Sequence, residues 1–184
     1  MIIKDIKTSY CGIFTIFSRY WQAYGGIRAL ILSPYLHISL LLTALMNPLW
    51  MKPGWWDIAI SIAPSILGFS LAGYSIWLAL GDDKFRRLIS TPDEDDPKSP
   101  TPFMEVNAAF VHFMLMQVFS LIYALVAKSH MGEMIKLSGV TLPVSAVGFT
   151  LLIYSTLCIL AATFAILRVS SWYEAFIKAT LDKE

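Results

Sequence analysis

Four stretches of the chain, residues 29–51, 58–81, 106–127 and 137–167, contain no Asp, Glu, Lys or Arg. A hydrocarbon core of about 30 Å takes roughly 20 apolar residues of helix to cross. Each Asp, Lys or Arg held at mid-depth costs at least about 2.5–3.5 kcal/mol. The chain has 14 basic and 13 acidic residues and keeps every one of them out of these stretches. That distribution predicts an all-α, polytopic membrane protein with four spans, at about 29–51, 58–81, 106–127 and 143–167. The bilayer is then the first partner of the fold.

The rest of the composition narrows the functional classes. With 57% hydrophobic residues and a mean hydropathy of +0.62, the 184-residue chain is unlike a soluble domain. The spans and their flanks use nearly all of it, so no separate catalytic domain fits. A net charge of +1 without a Lys/Arg-rich run argues against direct nucleic-acid binding. Cys11 and Cys158 are too scattered for a disulfide framework, a redox motif or a metal site. The apolar patch at 13–17 is too short for a signal peptide, and Arg19 and Arg28 interrupt its continuation, so the N-terminus is expected to be retained.

Flanking charges set the orientation, because basic residues favour the cytoplasmic side. Lys4, Lys7, Arg19 and Arg28 precede the first span. Lys84, Arg86, Arg87 and Lys98 lie in the central loop, and Arg168, Lys178 and Lys183 follow the last span. Only Lys52, Lys128 and Lys136 fall on the other side. Both termini and the central loop are therefore expected in the cytoplasm. Trp50, Trp55 and Trp56 bracket the short outer loop, where indole rings suit the headgroup boundary. That loop, with Pro53 and Gly54, predicts an antiparallel hairpin of the first two spans.

Three segments outside the spans carry pattern, and they divide the chain into a flank (1–28), a four-helix domain (29–167) and a tail (168–184). In the flank, Ile13, Phe14, Phe17, Tyr20, Trp21 and Tyr24 recur at three- and four-residue spacing around Ser18, Arg19 and Gln22. That spacing fits an amphipathic helix lying in the membrane interface, with Phe14, Phe17 and Trp21 as anchors, or one packed on its own protein. Trp172 would anchor the tail, which is expected to continue the last helix beyond the membrane. The loop at 82–105 begins with Phe85, Leu88 and Ile89, a short amphipathic extension of the second helix. It then becomes proline-rich and acidic through Asp93, Glu94, Asp95 and Asp96. This run lacks the spacing and glycine of an EF-hand. It is a solvated loop or an exposed docking strip for a cytoplasmic protein partner.

The interior of the second span holds the sharpest pattern. Ser61, Ser65, Gly68, Ala72, Ser75 and Ala79 follow one another at spacings of 4, 3, 4, 3 and 4. Small residues on one helix face let backbones approach closely in lipid, so the stripe predicts a helix–helix interface, within the chain or between copies in a homo-oligomer. Pro64 removes one backbone hydrogen bond and is expected to kink the same helix. The fourth span has a weaker small-residue face through Ser145, Gly148, Ser155 and Ala162, with Ala161 and Ala165 beside it. Polar candidates are few: His37 and His112, expected in the inner halves of their spans, and Gln117 beyond His112. They could form a pH-sensitive contact or line a pore, or the histidines could be neutral and bonded to backbone carbonyls. Two histidines fall short of a catalytic zinc site, and neither metal nor cofactor is expected.

Hydrolase triads, metalloprotease and phosphate-loop signatures and intramembrane carboxylate pairs are absent from the sequence. Glu105, Asn107, His112 and Gln117 are the one thin set a lipid-active enzyme could use. The run PSILGFSLAGYSIWLALGDDKFRRLI, followed after the acidic loop by PFMEVNAAFVHFMLMQ, resembles small four-helix bacterial membrane proteins encoded beside phage-defence genes, among them the membrane subunit of Kiwa-type systems. The resemblance covers about the middle third of the chain and assigns no functional residue. It implies an oligomeric inner-membrane subunit that senses infection and works with a cytoplasmic effector. A non-enzymatic scaffold or sensor is thus the leading expectation. A homo-oligomeric channel or membrane-disrupting effector is the second, and a small lipid enzyme the third.

Overall fold

A computed structural model describes residues 2–94, 96, 97, 99–132, 139 and 141–181, with side chains from residue 7 onward. Asp95 and Lys98 of the central loop, Lys136 and Lys183 lie outside the described residues. Among the described residues every regular element is a helix: α1 (Ile2–Tyr24), α2 (Gly26–Ile31), α3 (Pro34–Leu45), α4 (Asn47–Trp50), α5 (Trp55–Ala79), α6 (Asp83–Ser90), α7 (Pro102–Met131) and α8 (Thr141–Leu181). Three of these, α5, α7 and α8, are long and apolar enough to cross a membrane. The chain is an integral membrane protein by that measure. At 1.5 Å per residue, the 41 residues of α8 run about 60 Å, twice the hydrocarbon thickness, so the tail continues the last helix without interruption.

The first apolar stretch behaves differently. Ser33 is extended (φ −65°, ψ 122°) ahead of Pro34, as residues before proline tend to be, and Pro34 opens α3. Pro48 likewise sits in the first turn of α4. The 29–51 stretch is therefore cut into pieces, and α3 at 12 residues measures only about 18 Å. Trp50 Nε1 donates to the Thr43 carbonyl at 2.7 Å, which ties α4 back onto the end of α3.

α8 is the central helix and packs on α3, α5 and α7. The first two apolar segments, expected as an antiparallel hairpin, do not pack mainly on each other: α3 docks mainly on α8, and α5 lies on α7 and α8. Trp55 and Trp56, expected at the headgroups, are buried at the start of α5 with Ala124, Ala127, Phe149 and Leu152. The Trp55 ring lies across Gly148, where an added Cβ would sit 2.2 Å from Cη2 of Trp55 and 2.5 Å from Cε1 of Tyr123. That glycine is needed for the approach of the rings. The weaker small-residue face of the fourth span is thus a real packing face, with Ser145, Gly148, Ser155, Ala161 and Ala162 all buried.

At the other end, the chain leaves α5 through Gly81 (φ +82°), and Asp82 caps α6 by accepting from the Phe85 amide at 2.8 Å. α6 is a separate helix, because this left-handed glycine breaks the run. Phe85 and Ile89 are buried and Leu88 is exposed. Phe85 packs its ring on Tyr173 and Phe176 of the α8 extension. Thr101 caps α7 by accepting from the Met104 amide at 3.3 Å, with Pro102 in the first turn.

Candidate functional site

The most concentrated polar chemistry in the apolar part of the chain is built around His112. Seven residues separate it from Glu105, the last charge before the apolar run of α7, which is about 10 Å of helix. His112 is fully buried, and both of its ring nitrogens are engaged. Nδ1 lies 2.8 Å from the Tyr20 hydroxyl of α1, and Nε2 lies 2.8 Å from the Tyr154 hydroxyl of α8. Tyr24, one turn after Tyr20, stacks on the imidazole with centroids 3.9 Å apart and planes inclined by 14°. Its hydroxyl lies 3.5 Å from that of Tyr154. Cys158, one turn after Tyr154, is buried within electrostatic reach of Tyr20 and Tyr24.

A neutral imidazole has one donor and one acceptor, and the two flanking hydroxyls satisfy both. With the proton on Nε2, Tyr20 donates to Nδ1 and Tyr154 accepts; with it on Nδ1, the roles reverse. Burial pushes the Tyr20 phenol up to about 12 and raises Tyr24 as well, so the α1 phenols keep their protons at neutral pH. The arrangement is a neutral hydrogen-bonded chain. It joins the helix that precedes the apolar segments to two membrane-length helices.

The sequence candidates are distributed around this centre. His112 is in it, bonded to tyrosines instead of to a backbone carbonyl. His37 is exposed on α3 and does not meet His112. Gln117 is buried on the α5 side of α7, where its Nε2 donates to Ser70 Oγ at 2.7 Å. Gln117 Oε1 and the nearby Ser120 Oγ are buried without a partner. Asn107 accepts from Trp77 Nε1 at 2.9 Å, and Glu105 is exposed, so the thin enzyme set does not converge.

The six-residue stripe of α5 faces outward. Ser61, Ser65, Gly68, Ala72, Ser75 and Ala79 are all exposed, and a Cβ added at Gly68 would meet nothing within 4 Å. The face that packs inside the chain is Ala59, Ala63, Ile66, Ser70, Gly73 and Trp77, the same spacing shifted by two residues. Two residues rotate a helix by about 200°, so the stripe lies on the opposite side from the intrachain contact.

In α1, Phe14 and Phe17 are exposed and Trp21 is half-buried, so the first turns are unpartnered while the last turns grip His112. Trp172 is half-buried on α8. Asp93, Glu94 and Asp96 are exposed beside Pro92 and Pro97.

Spacing alone did not identify Tyr154. It is the one tyrosine of the 137–167 stretch, and that isolation was the available signal. Tyr20 and Tyr24 carried an i, i+4 signal equally suited to lipid or protein. Comparison of the chain with protein-family models, with curated proteins and with solved structures finds no match.

Proposed function

We propose that the chain is a non-enzymatic, self-associating inner-membrane scaffold or sensor subunit that recruits or regulates a cytoplasmic effector. The observation that carries this reading is the outward-facing stripe of α5. Both faces of α5 are rich in small residues, and only one is used within the chain. Lipid-facing positions gain nothing from six small residues in register, whereas a second helix gains close backbone approach. In this arrangement α2–α4 cross the membrane as a broken fourth segment, and both termini and the central loop lie in the cytoplasm. The acidic loop, in which Asp93, Glu94 and Asp96 are exposed, then faces the effector. The resemblance of 64–89 and 102–117 to membrane subunits of phage-defence systems supplies the setting.

The test is the native mass of the chain in nanodiscs. The wild type is expected at a multiple of 20.6 kDa. The double variant Gly68→Leu/Ala72→Leu is expected as a monomer with unchanged helicity, because both positions face away from the fold. A monomeric wild type overturns the reading. So does ion flux through reconstituted vesicles, which would make the assembly a channel.

A further inference from the structure

A second polar feature sits where the apolar parts of α7 and α8 meet one membrane surface. Glu105 is the last charged residue before the charge-free run of α7, and Arg168 is the first one after the charge-free run of α8. The two helices pack against each other with opposite chain direction across the bilayer, which brings these ends to the same level. Both residues line one groove, with Val106 and Ala109 on the α7 side and Ala165 and Trp172 on the α8 side. On α7, Glu105 and Ala109 are one turn apart. On α8, Ala165, Arg168 and Trp172 fall on one face by the same i, i+3 and i+4 logic. The groove is therefore apolar toward the membrane centre and carries one carboxylate, one guanidinium and one indole at its mouth.

Among the described residues the ion pairs are Lys128–Asp57 and Lys178–Glu174. Glu105 and Arg168 share a groove yet are not paired with each other, and both remain exposed. Opposite charges that line one groove without neutralising each other suit a ligand with complementary charges of its own. At this depth the abundant species of that kind is a zwitterionic lipid.

We propose that this groove binds the headgroup of a phosphoethanolamine lipid. Arg168 takes the phosphate through its guanidinium fork, and Glu105 accepts hydrogen bonds from the primary ammonium. Trp172, one turn farther out on α8, walls the outer side of the groove with an indole ring suited to the headgroup region. Ala109 and Ala165 line the apolar inner end of the groove. A choline headgroup carries the same charges but no N–H to give Glu105. A glycerol headgroup has no cation at all. The site therefore discriminates by hydrogen bonding, and the discrimination belongs to Glu105.

The experiment uses the full chain, reconstituted in bilayers of equal parts phosphatidylethanolamine, phosphatidylcholine and phosphatidylglycerol with matched acyl chains. Lipids retained on the released protein are then quantified by native mass spectrometry. Phosphatidylethanolamine is expected to be retained over phosphatidylcholine by on the order of tenfold, the effect of one charge-assisted hydrogen bond. Glu105→Ala, which removes the acceptor altogether, should abolish that preference. Arg168→Gln should lower retention of all three lipids together. Both positions are exposed, so both variants keep the fold, which circular dichroism checks. Equal retention of the two zwitterionic lipids by the wild type overturns the proposal. A preference that survives Glu105→Ala does so as well.

Discussion

Removing the hydroxyl of Tyr20 isolates the contact that holds α1 to the membrane helices. Tyr20→Phe keeps the ring, and with it the edge contact to Phe17. What is lost is the 2.8 Å bond to His112 Nδ1. In a fully buried setting that nitrogen finds no water, so it is left unpaired. Interhelical hydrogen bonds in membranes contribute about 0.6 kcal/mol on average and up to about 1.7. An orphaned buried polar group costs about 1–3 kcal/mol. The two views overlap near 1.4 kcal/mol, which is about a tenfold rise in the undocked population of α1.

Cys158 supplies a native reporter for this opening. It is 1% exposed and lies one turn after Tyr154 on α8, whereas the other cysteine, Cys11, is exposed and can be replaced. In a Cys11→Ser background, alkylation of Cys158 by a permeant maleimide proceeds only through openings, and its rate follows the opening equilibrium. Tyr20→Phe should accelerate alkylation about tenfold. In a His112→Leu background the Tyr20 hydroxyl is itself the orphan, so Tyr20→Phe should leave the rate unchanged or slow it. The sign reversal is the signature of a direct bond. Equal acceleration in both backgrounds, or none in either, refutes the account of the site.

Two further predictions probe the packing. Gly148→Ala places a methyl group 2.2 Å from the Trp55 ring and 2.5 Å from the Tyr123 ring, so both must move; a loss of about 1–3 kcal/mol is expected as a lowered thermal midpoint in detergent. At the Gln117–Ser70 pair the two truncations should differ in size. Ser70→Ala leaves the amide of Gln117 with neither end satisfied and should destabilise by about 1–3 kcal/mol, whereas Gln117→Leu removes the orphaned carbonyl oxygen and leaves Ser70 Oγ able to bond a carbonyl of its own helix, so it should cost less in the same melt.

How much of this was legible depends on whether a property is local to a segment. The helices α5, α7 and α8 follow from runs of apolar residues without charge, which one segment carries by itself. The break at Ser33–Pro34 was also local, because Pro34 interrupts the first apolar stretch in plain sight. By contrast, the partners of His112 lie 92 residues before it and 42 after it, and no periodicity connects them. The hairpin expectation failed for a related reason. A short loop fixes where two helices start and end, while the faces they bury are chosen by a third helix, here α8.

The stripe of α5 shows what periodicity can and cannot decide. Spacings of 4, 3, 4, 3 and 4 mark a face, and both the outward set and the inward set of α5 satisfy them. The inward set contains Ile66 and Trp77, so smallness alone ranked it below the outward set, although Ala59, Ala63, Ser70 and Gly73 make the actual intrachain contact. A bulky residue at the end of a small-residue face need not exclude packing, because it can fill the space where two helices diverge. Trp77 does this where α5 ends, donating to Asn107 and packing on Phe103 near the start of α7. An unbroken run of small residues has no such end plug. It suits a partner helix that stays close along the whole length of α5, and none of the chain's own helices takes that position. The purest small-residue face is thus the one left free among the described residues, and this is why the stripe carries the proposed self-association and not the fold.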